Sequence, residues 1–364
     1  MVKEKLAFVD HSFHKKTGST DFLPEIFRER YRVVNFYDET WNYGPGVDIN
    51  KLREGNFKVI VFFQQLPSYR QLKKLSGARL IWIPMFDAET KLSGIGWRHS
   101  RLEWLSILSL GVKILSFSRK INDYAKFLGF ESFYLQYFVN PGILPAHDQG
   151  KRNGLKIFFW QRTREIDWQL IKKLIGDSVV DQIIYRPNCD PGHKFFPPND
   201  DDTKKYNIKT INDWLSREEY LGWLANCDVF FAPRRFEGIG QAFLEAMAAG
   251  LCVVSPDYPT MNEYITSGVN GLLYDWQKPE SFDLSRGEEI GHKARLNAED
   301  GFGRYKKDRE GILKFVLAPA KYKPNPAFGA LLEGYNFILR PWQLAKFFLK
   351  KLYVRYKNYS NNLH

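Results

Sequence analysis

The sequence predicts an α/β protein made of two doubly wound parallel sheets, on three observations. Short apolar runs recur along the chain, each followed by enough residues for a helix, which is the alternation of parallel sheets and not of hairpins. The 364 residues, 44% hydrophobic and 16% aromatic, suffice for two ordinary domains with a core each. Between Asp228 and Asp275 the order strand, loop, helix, strand can be read residue by residue.

Lys5–Asp10 reads as the first strand, followed by the polar loop HSFHKKTGSTDF and a helix near Leu23–Glu29. In that loop Gly18, with Ser19 and Thr20, can turn backbone amides towards a phosphate, and Lys15 and Lys16 add charge; a solvated turn is the plain alternative. Further strands are expected at Arg32–Tyr37, Lys58–Phe63, Arg79–Pro84 and Lys113–Ser118, with a turn near Tyr43–Val47. Asp87, past the fourth strand, is equally suited to bonding a ligand's hydroxyl and to capping the next helix. His99 and Arg101 have no metal partner in sequence and read as satisfied polar side chains. Ser118 is placed as a helix N-cap, and no base accompanies it that would make it a nucleophile. Tyr137–Pro145 reads as a linker, extended by the hydrophilic Lys151–Gly154.

The second half opens on LKIFFWQRTREIDWQLIKKLIG, a strand running into an amphipathic helix, with Arg162 and Arg164 at the strand end. Pro187–Lys205 reads as an exposed insertion whose acids, Asp200–Asp202, are solvated. Ser216 and Glu219 form a capping box, in a helix that directs Arg217 and Glu218 outward. Asp228–Ala232 is a buried strand, and Gly238 and Gly240 shape the loop after it. Gln241–Ala249 is a helix of good formers ended by Gly250, and Leu251–Ser255 returns to the sheet. The free N–H groups from Gly240 through Gln241 and Ala242 to Phe243 make an anion site. Glu237 and Glu245 flank it, and carboxylates only accept hydrogen bonds, so the pair suits hydroxyl-rich groups on either side of a phosphate. A nucleotide sugar has that layout. A last helix is expected from about Lys278 to Glu299.

Glu237 and Glu245, with seven residues between them in FEGIGQAFLEAMAAG, resemble the E-x7-E motif of retaining glycosyltransferases of family 4, and SGVNGLLYD resembles the family's later glycine turn. The resemblance covers roughly residues 5–275. It implies the GT-B fold, two Rossmann-like domains with parallel sheets facing a central cleft. Residues 1–150 would then bind acceptor and 151–320 donor, with 321–364 as a crossing helix and tail. By the same resemblance Glu237 lies near the donor sugar, Glu245 holds the ribose hydroxyls, Arg162 faces the leaving diphosphate, and the Gly18 loop matches a family glycine loop. Two positions depart from the pattern. Asp167 stands where the family has a lysine, leaving Arg164, Lys172 or Lys173 as replacements, and Phe86 stands where it has a histidine, leaving Asp87 beside it. The implied reaction moves a sugar from a nucleotide diphosphate sugar to a hydroxyl of a glycan or lipid-linked acceptor, with retention, in surface polysaccharide or glycolipid synthesis. No cofactor and no metal are expected, because fixed positive charge neutralises the diphosphate.

The net charge of +12 favours anionic partners. Cys189, Cys227 and Cys252 lack metal-ligand spacing and read as thiols of a reducing compartment. With no signal peptide and no long uncharged apolar run, a cytoplasmic protein is expected. YNFILRPWQLAKFFLKKLYVRYKNY, near the end, mixes aromatic and basic residues with almost no acid, as a helix lying on the inner face of an anionic membrane would. No nucleic-acid motif accompanies it, so no nucleic-acid partner is expected. Two other classes fit the same residues: a sugar-binding or regulatory protein of this fold without turnover, and a basic adaptor for membrane or nucleic acid.

Overall fold

The computed structural model describes residues 3–42, 44–89, 98–145, 153–188, 195, 197–213, 215–322 and 324–338. Two six-stranded parallel sheets organise the chain. The first holds β1 (Lys5–His11), β2 (Arg32–Asp38), β3 (Val59–Phe63), β4 (Arg79–Ile83), β5 (Lys113–Ser116) and β6 (Ser132–Tyr134), in the order β2-β1-β3-β4-β5-β6. The second holds β7 (Leu155–Trp160), β8 (Val180–Arg186), β9 (Ile208–Thr210), β10 (Val229–Phe231), β11 (Cys252–Pro256) and β12 (Leu272–Tyr274), in the order β12-β11-β10-β7-β8-β9.

The strands are continuous apolar runs because both faces of each sheet are covered. In β3, Val59, Val61 and Phe63 enter one core while Ile60 and Phe62 enter another, the period of two that a pleated strand imposes. The first of these cores also takes Phe158, Phe230 and Phe243 from the second half, so a single apolar body joins the two sheets. The outer face of the second sheet has a core of its own, around Ile157, Phe159 and Val254.

Several expectations change. The last helix runs over Gly287–Leu317 and not Lys278–Glu299. Four glycines inside it, each costing about 1 kcal/mol against alanine, hide its length in the sequence. This helix already returns to the first half. There the buried Lys113 ammonium reaches the carbonyls of Phe315 and Ala318 and pairs with Glu131 at 3.1 Å. A further helix, 326–338, lies against the first half as well, where the Tyr69 hydroxyl donates to the Pro326 carbonyl at 2.8 Å. The aromatic and basic residues from 339 on lie outside the described residues, as does Cys189; Cys227 and Cys252 are buried. The acid run is no solvated loop either. Asn199 caps a helix over Asp200–Lys205, and Asp202 is buried, accepting from Trp168 Nε1 at 2.8 Å and Lys172 Nζ at 2.6 Å.

Ser118 occupies an N-cap position but makes no capping bond. The carboxylate of Glu263, from the second half, takes that role. It accepts from the Arg119 N–H at 2.8 and 2.9 Å, the Ser118 hydroxyl at 3.0 Å and the Tyr134 hydroxyl at 2.8 Å.

Candidate active site

The carboxyl ends of both sheets meet where β10 gives way to the loop before the helix Gln241–Ala249, the place where parallel sheets bind ligands. Gly240 enters that helix at φ 77°, a conformation open to glycine, and Gly250 leaves it at φ 91°. Gln241 reaches across to the first half, its side-chain amide donating to the Ser19 carbonyl at 2.6 Å. Ala242 beside it is half-buried. One turn on, Glu245 is buried and 2.7 Å from Arg217 Nη2. Arg217 therefore does not point idly outward; it answers a carboxylate that burial holds above the usual range, against the pull of the guanidinium. Two phenols share that carboxylate's field. Tyr137 is pushed up to about 12, by burial and then by Glu245, and Tyr220 rises for the same two reasons.

Glu237 is buried in the loop. Arg234 Nη1 lies 4.0 Å from it and 3.3 Å from Asp87 Oδ2, bridging the two halves. Asp87 sits in the short helix Phe86–Glu89, where it bonds the Ala88 N–H but does not cap. Burial raises its pKa, opposed by Arg234 and more weakly by Arg162. Phe86 packs in the core. Gly238 passes so close to the first half that a Cβ there would meet Met85 Sδ at 2.8 Å and Asp87 Oδ1 at 2.9 Å.

At the ends of β7 and β8 two guanidinium groups take the Trp160 ring, Arg162 at 5.0 Å and Arg186 at 4.5 Å from its centroid. Burial lowers the pKa of Arg186, and the nearby Arg162 adds to that while Tyr220 opposes it. Cation, indole and phenol thus crowd into one corner. Arg164 is exposed. Asp167, at the lysine position, caps the helix Trp168–Ile175 by accepting from the Leu170 N–H at 3.0 Å. Lys172 is engaged by Asp202 and does not fold back to the site. Arg186 and Arg234 carry no site signal in the sequence, the first because nothing local marks the end of β8 and the second because a loop hides its direction.

Gly18 plays another part than expected. An extra helical turn, Ser12–Thr17, precedes it, and Gly18, at φ 64°, ends that turn with its N–H bonded to the His14 carbonyl. Its amide is thus engaged within the loop. Beside it lies a cluster that the sequence does not signal. Asp10 accepts from the Thr20 hydroxyl at 2.6 Å and lies 2.7 Å from His14 Nδ1, and His11 is buried next to both. His11 is lowered to about 4, by burial first and then by His14, with Asp10, Gln64 and Glu39 opposing. His99 bonds the buried Glu89 at 2.9 Å, the satisfied polar histidine expected.

This architecture recurs in solved proteins. HepE of Anabaena in complex with UDP matches with a TM-score of 0.58 and 15% identity, over 85% of this chain and all of that one. Sucrose-phosphate synthase of Thermosynechococcus elongatus matches with a TM-score of 0.58 and 10% identity, over 86% and 98%. The chain has the GT-B fold. Within this GT-B protein, residues 205–283 match the family described as Glycosyl transferases group 1, a span that contains Arg217, Glu237, Glu245 and the helix between the last two. A stretch of 46 residues is 46% identical to the lipopolysaccharide core biosynthesis mannosyltransferase LpsB of Rhizobium meliloti (strain 1021), covering 13% of each protein. A lipopolysaccharide outer core galactosyltransferase, WaaB, shares the fold at 13% identity, over 85% of this chain and 99% of that one, with a TM-score of 0.52. Among the described residues no helix is long and apolar enough to cross a membrane.

Proposed function

We propose that this GT-B protein is a glycosyltransferase that moves a sugar from a nucleotide diphosphate sugar to a hydroxyl of a glycan or lipid-linked acceptor, in surface polysaccharide or glycolipid synthesis. One observation carries the reading: the buried Glu245, paired with Arg217, stands one turn inside a helix whose N-terminus faces the first half. Glu245 accepts the ribose hydroxyls, and the N–H groups from Gly240 to Phe243 take the diphosphate. Arg162, with Arg186 beside it, balances the charge that grows on the leaving diphosphate. Glu237 and Asp87, joined by Arg234, hold the transferred sugar. The bond from the anomeric carbon to the phosphate oxygen breaks as the acceptor oxygen bonds on the same face, so the configuration is retained. The acceptor's proton passes to the departing diphosphate. Fixed cations do this work, with no metal at the diphosphate.

The experiment is a thermal-shift screen of nucleotide sugars, since a ligand that binds only the folded state raises Tm. Nucleotide-linked glucose and mannose lead the panel, because HepE is solved with UDP-glucose and LpsB is a mannosyltransferase. Hydrolysis or transfer of the binding sugar then separates an enzyme from a sugar-binding protein of the same fold. No shift with any nucleotide sugar sinks the proposal. The basic tail is the proposed membrane contact. Deleting residues from Trp342 onward lowers recovery on anionic liposomes at low salt, with transfer to a soluble acceptor retained, and unchanged recovery refutes the contact.

A further inference from the structure

Three side chains apart from the arginine-lined site converge at the carboxyl end of β1. Asp10, His11 and His14 each offer one ligand atom, and these atoms all lie within 4.8 Å of one another. His11 closes β1 and His14 follows in the helical turn Ser12–Thr17, a three-residue spacing that brings the two rings to a centroid separation of 3.7 Å. The carboxylate is already oriented, because Asp10 Oδ2 accepts from the Thr20 hydroxyl while Oδ1 lies beside His14 Nδ1. The Gln64 side chain hydrogen-bonds the His11 ring, while the ring's buried Nδ1 has no hydrogen-bond partner by distance and angle among the described residues. A ring nitrogen withdrawn from water with nothing to bond calls for an explanation, and a bound ligand supplies one.

The position supports the same reading. In the order β2-β1-β3 the chain leaves β1 towards neighbours on opposite sides, and the crevice at such a reversal is where parallel sheets take ligands. Gln64, directly after β3, holds a φ of 60° that a non-glycine residue rarely adopts, and backbone of that kind collects at functional sites.

We propose that Asp10, His11 and His14 bind a divalent transition-metal ion of the zinc class through one carboxylate oxygen and two imidazole nitrogens. Two nitrogen ligands favour such an ion over magnesium or calcium, which prefer oxygen, and three protein ligands leave an open position. The ion ties the end of β1 to the loop whose Ser19 carbonyl receives Gln241, and so stiffens the first half's side of the cleft. The site is distinct from the arginines facing the diphosphate and does not depend on the proposed sugar transfer.

The test uses the full chain, stripped with a chelator and titrated with zinc chloride by calorimetry, with cobalt(II) absorption as a second probe. One equivalent of zinc is expected at micromolar or lower Kd, with a rise in Tm. His14→Gln and Asp10→Asn each weaken it at least tenfold, while His99→Gln leaves it unchanged. His14 is partly exposed, so its variant is expected to fold, and circular dichroism verifies this before titration. The absence of saturable zinc binding overturns the proposal, as does binding that survives both His14→Gln and Asp10→Asn. Competition by magnesium at equal concentration also overturns it, since the imidazoles would then not be ligands.

Discussion

The two halves of the cleft each bury a carboxylate at the carboxyl edge of a parallel sheet, and they treat it in opposite ways. In the second half Glu245 faces a guanidinium, Arg217, with Arg162 and Arg186 stacked on Trp160 close by. In the first half Asp10 is met by a hydroxyl, a backbone N–H and an imidazole, none of them a permanent cation. Equal burial thus yields different chemistry. A corner rich in fixed positive charge is organised for an anion whose charge grows, whereas a carboxylate among imidazoles is organised for neutral hydroxyls or a metal ion.

The largest expected effect comes from removing a cation in the second half. Arg162→Ala lowers kcat by about 10² to 10³, or roughly 2.7–4 kcal/mol, and changes donor affinity less, because charge on the diphosphate increases as the glycosidic bond breaks. Steady-state and binding measurements separate the two; if affinity falls and kcat stays, the arginine only binds. Next comes Glu245→Ala, which weakens nucleotide-sugar affinity by about 1.5–3 kcal/mol through loss of a charged acceptor. Calorimetry showing equal affinity would remove Glu245 from the ribose role.

The contact between the halves is tested by Gly238→Ala. The added methyl meets Met85 and Asp87, so the loops separate and stability drops by about 1–3 kcal/mol, read from denaturant midpoints. An unchanged midpoint means that the cleft tolerates more width there than the close approach implies. The smallest effect is a pH dependence. Burial raises Glu245, so the folded state holds its proton to higher pH than the unfolded chain does, and this group's contribution to stability falls as pH rises from the ordinary carboxylate range through the raised value. Glu245→Gln lacks that slope. Its Tm therefore improves relative to wild type on going from acid to neutral pH, and a constant difference would contradict the shift.

What the sequence disclosed follows the range of the forces involved. The helix Gln241–Ala249, its two glycine ends, the Ser216–Glu219 box, strands β1 to β5 of the first sheet and β7, β10 and β11 of the second are local, set by propensity and period, and are legible, whereas β6, β8, β9 and β12 are not. Arg217 was assigned outward because helical spacing gives a face and not the identity of what packs against it. Lys172 and Asp202, thirty residues apart, find each other only in the folded chain. The Asp10 cluster escaped because its histidines looked like part of a polar loop, and the turn Ser12–Thr17 that aligns them is shorter than any periodic signal. Asp87 was seen as a site residue, but its partner Arg234 comes from the other half of the protein.

Glu263 has one more consequence. The helix Arg119–Phe127 belongs to the first half, yet the carboxylate that satisfies its leading N–H comes from the second. If the halves hinge apart, that helix loses its cap, at a cost of about 0.5–2 kcal/mol. Opening and end-fraying are then one event. The exchange rate of a single backbone proton, on Arg119, becomes a gauge of how often the cleft gapes, readable without any substrate in the tube.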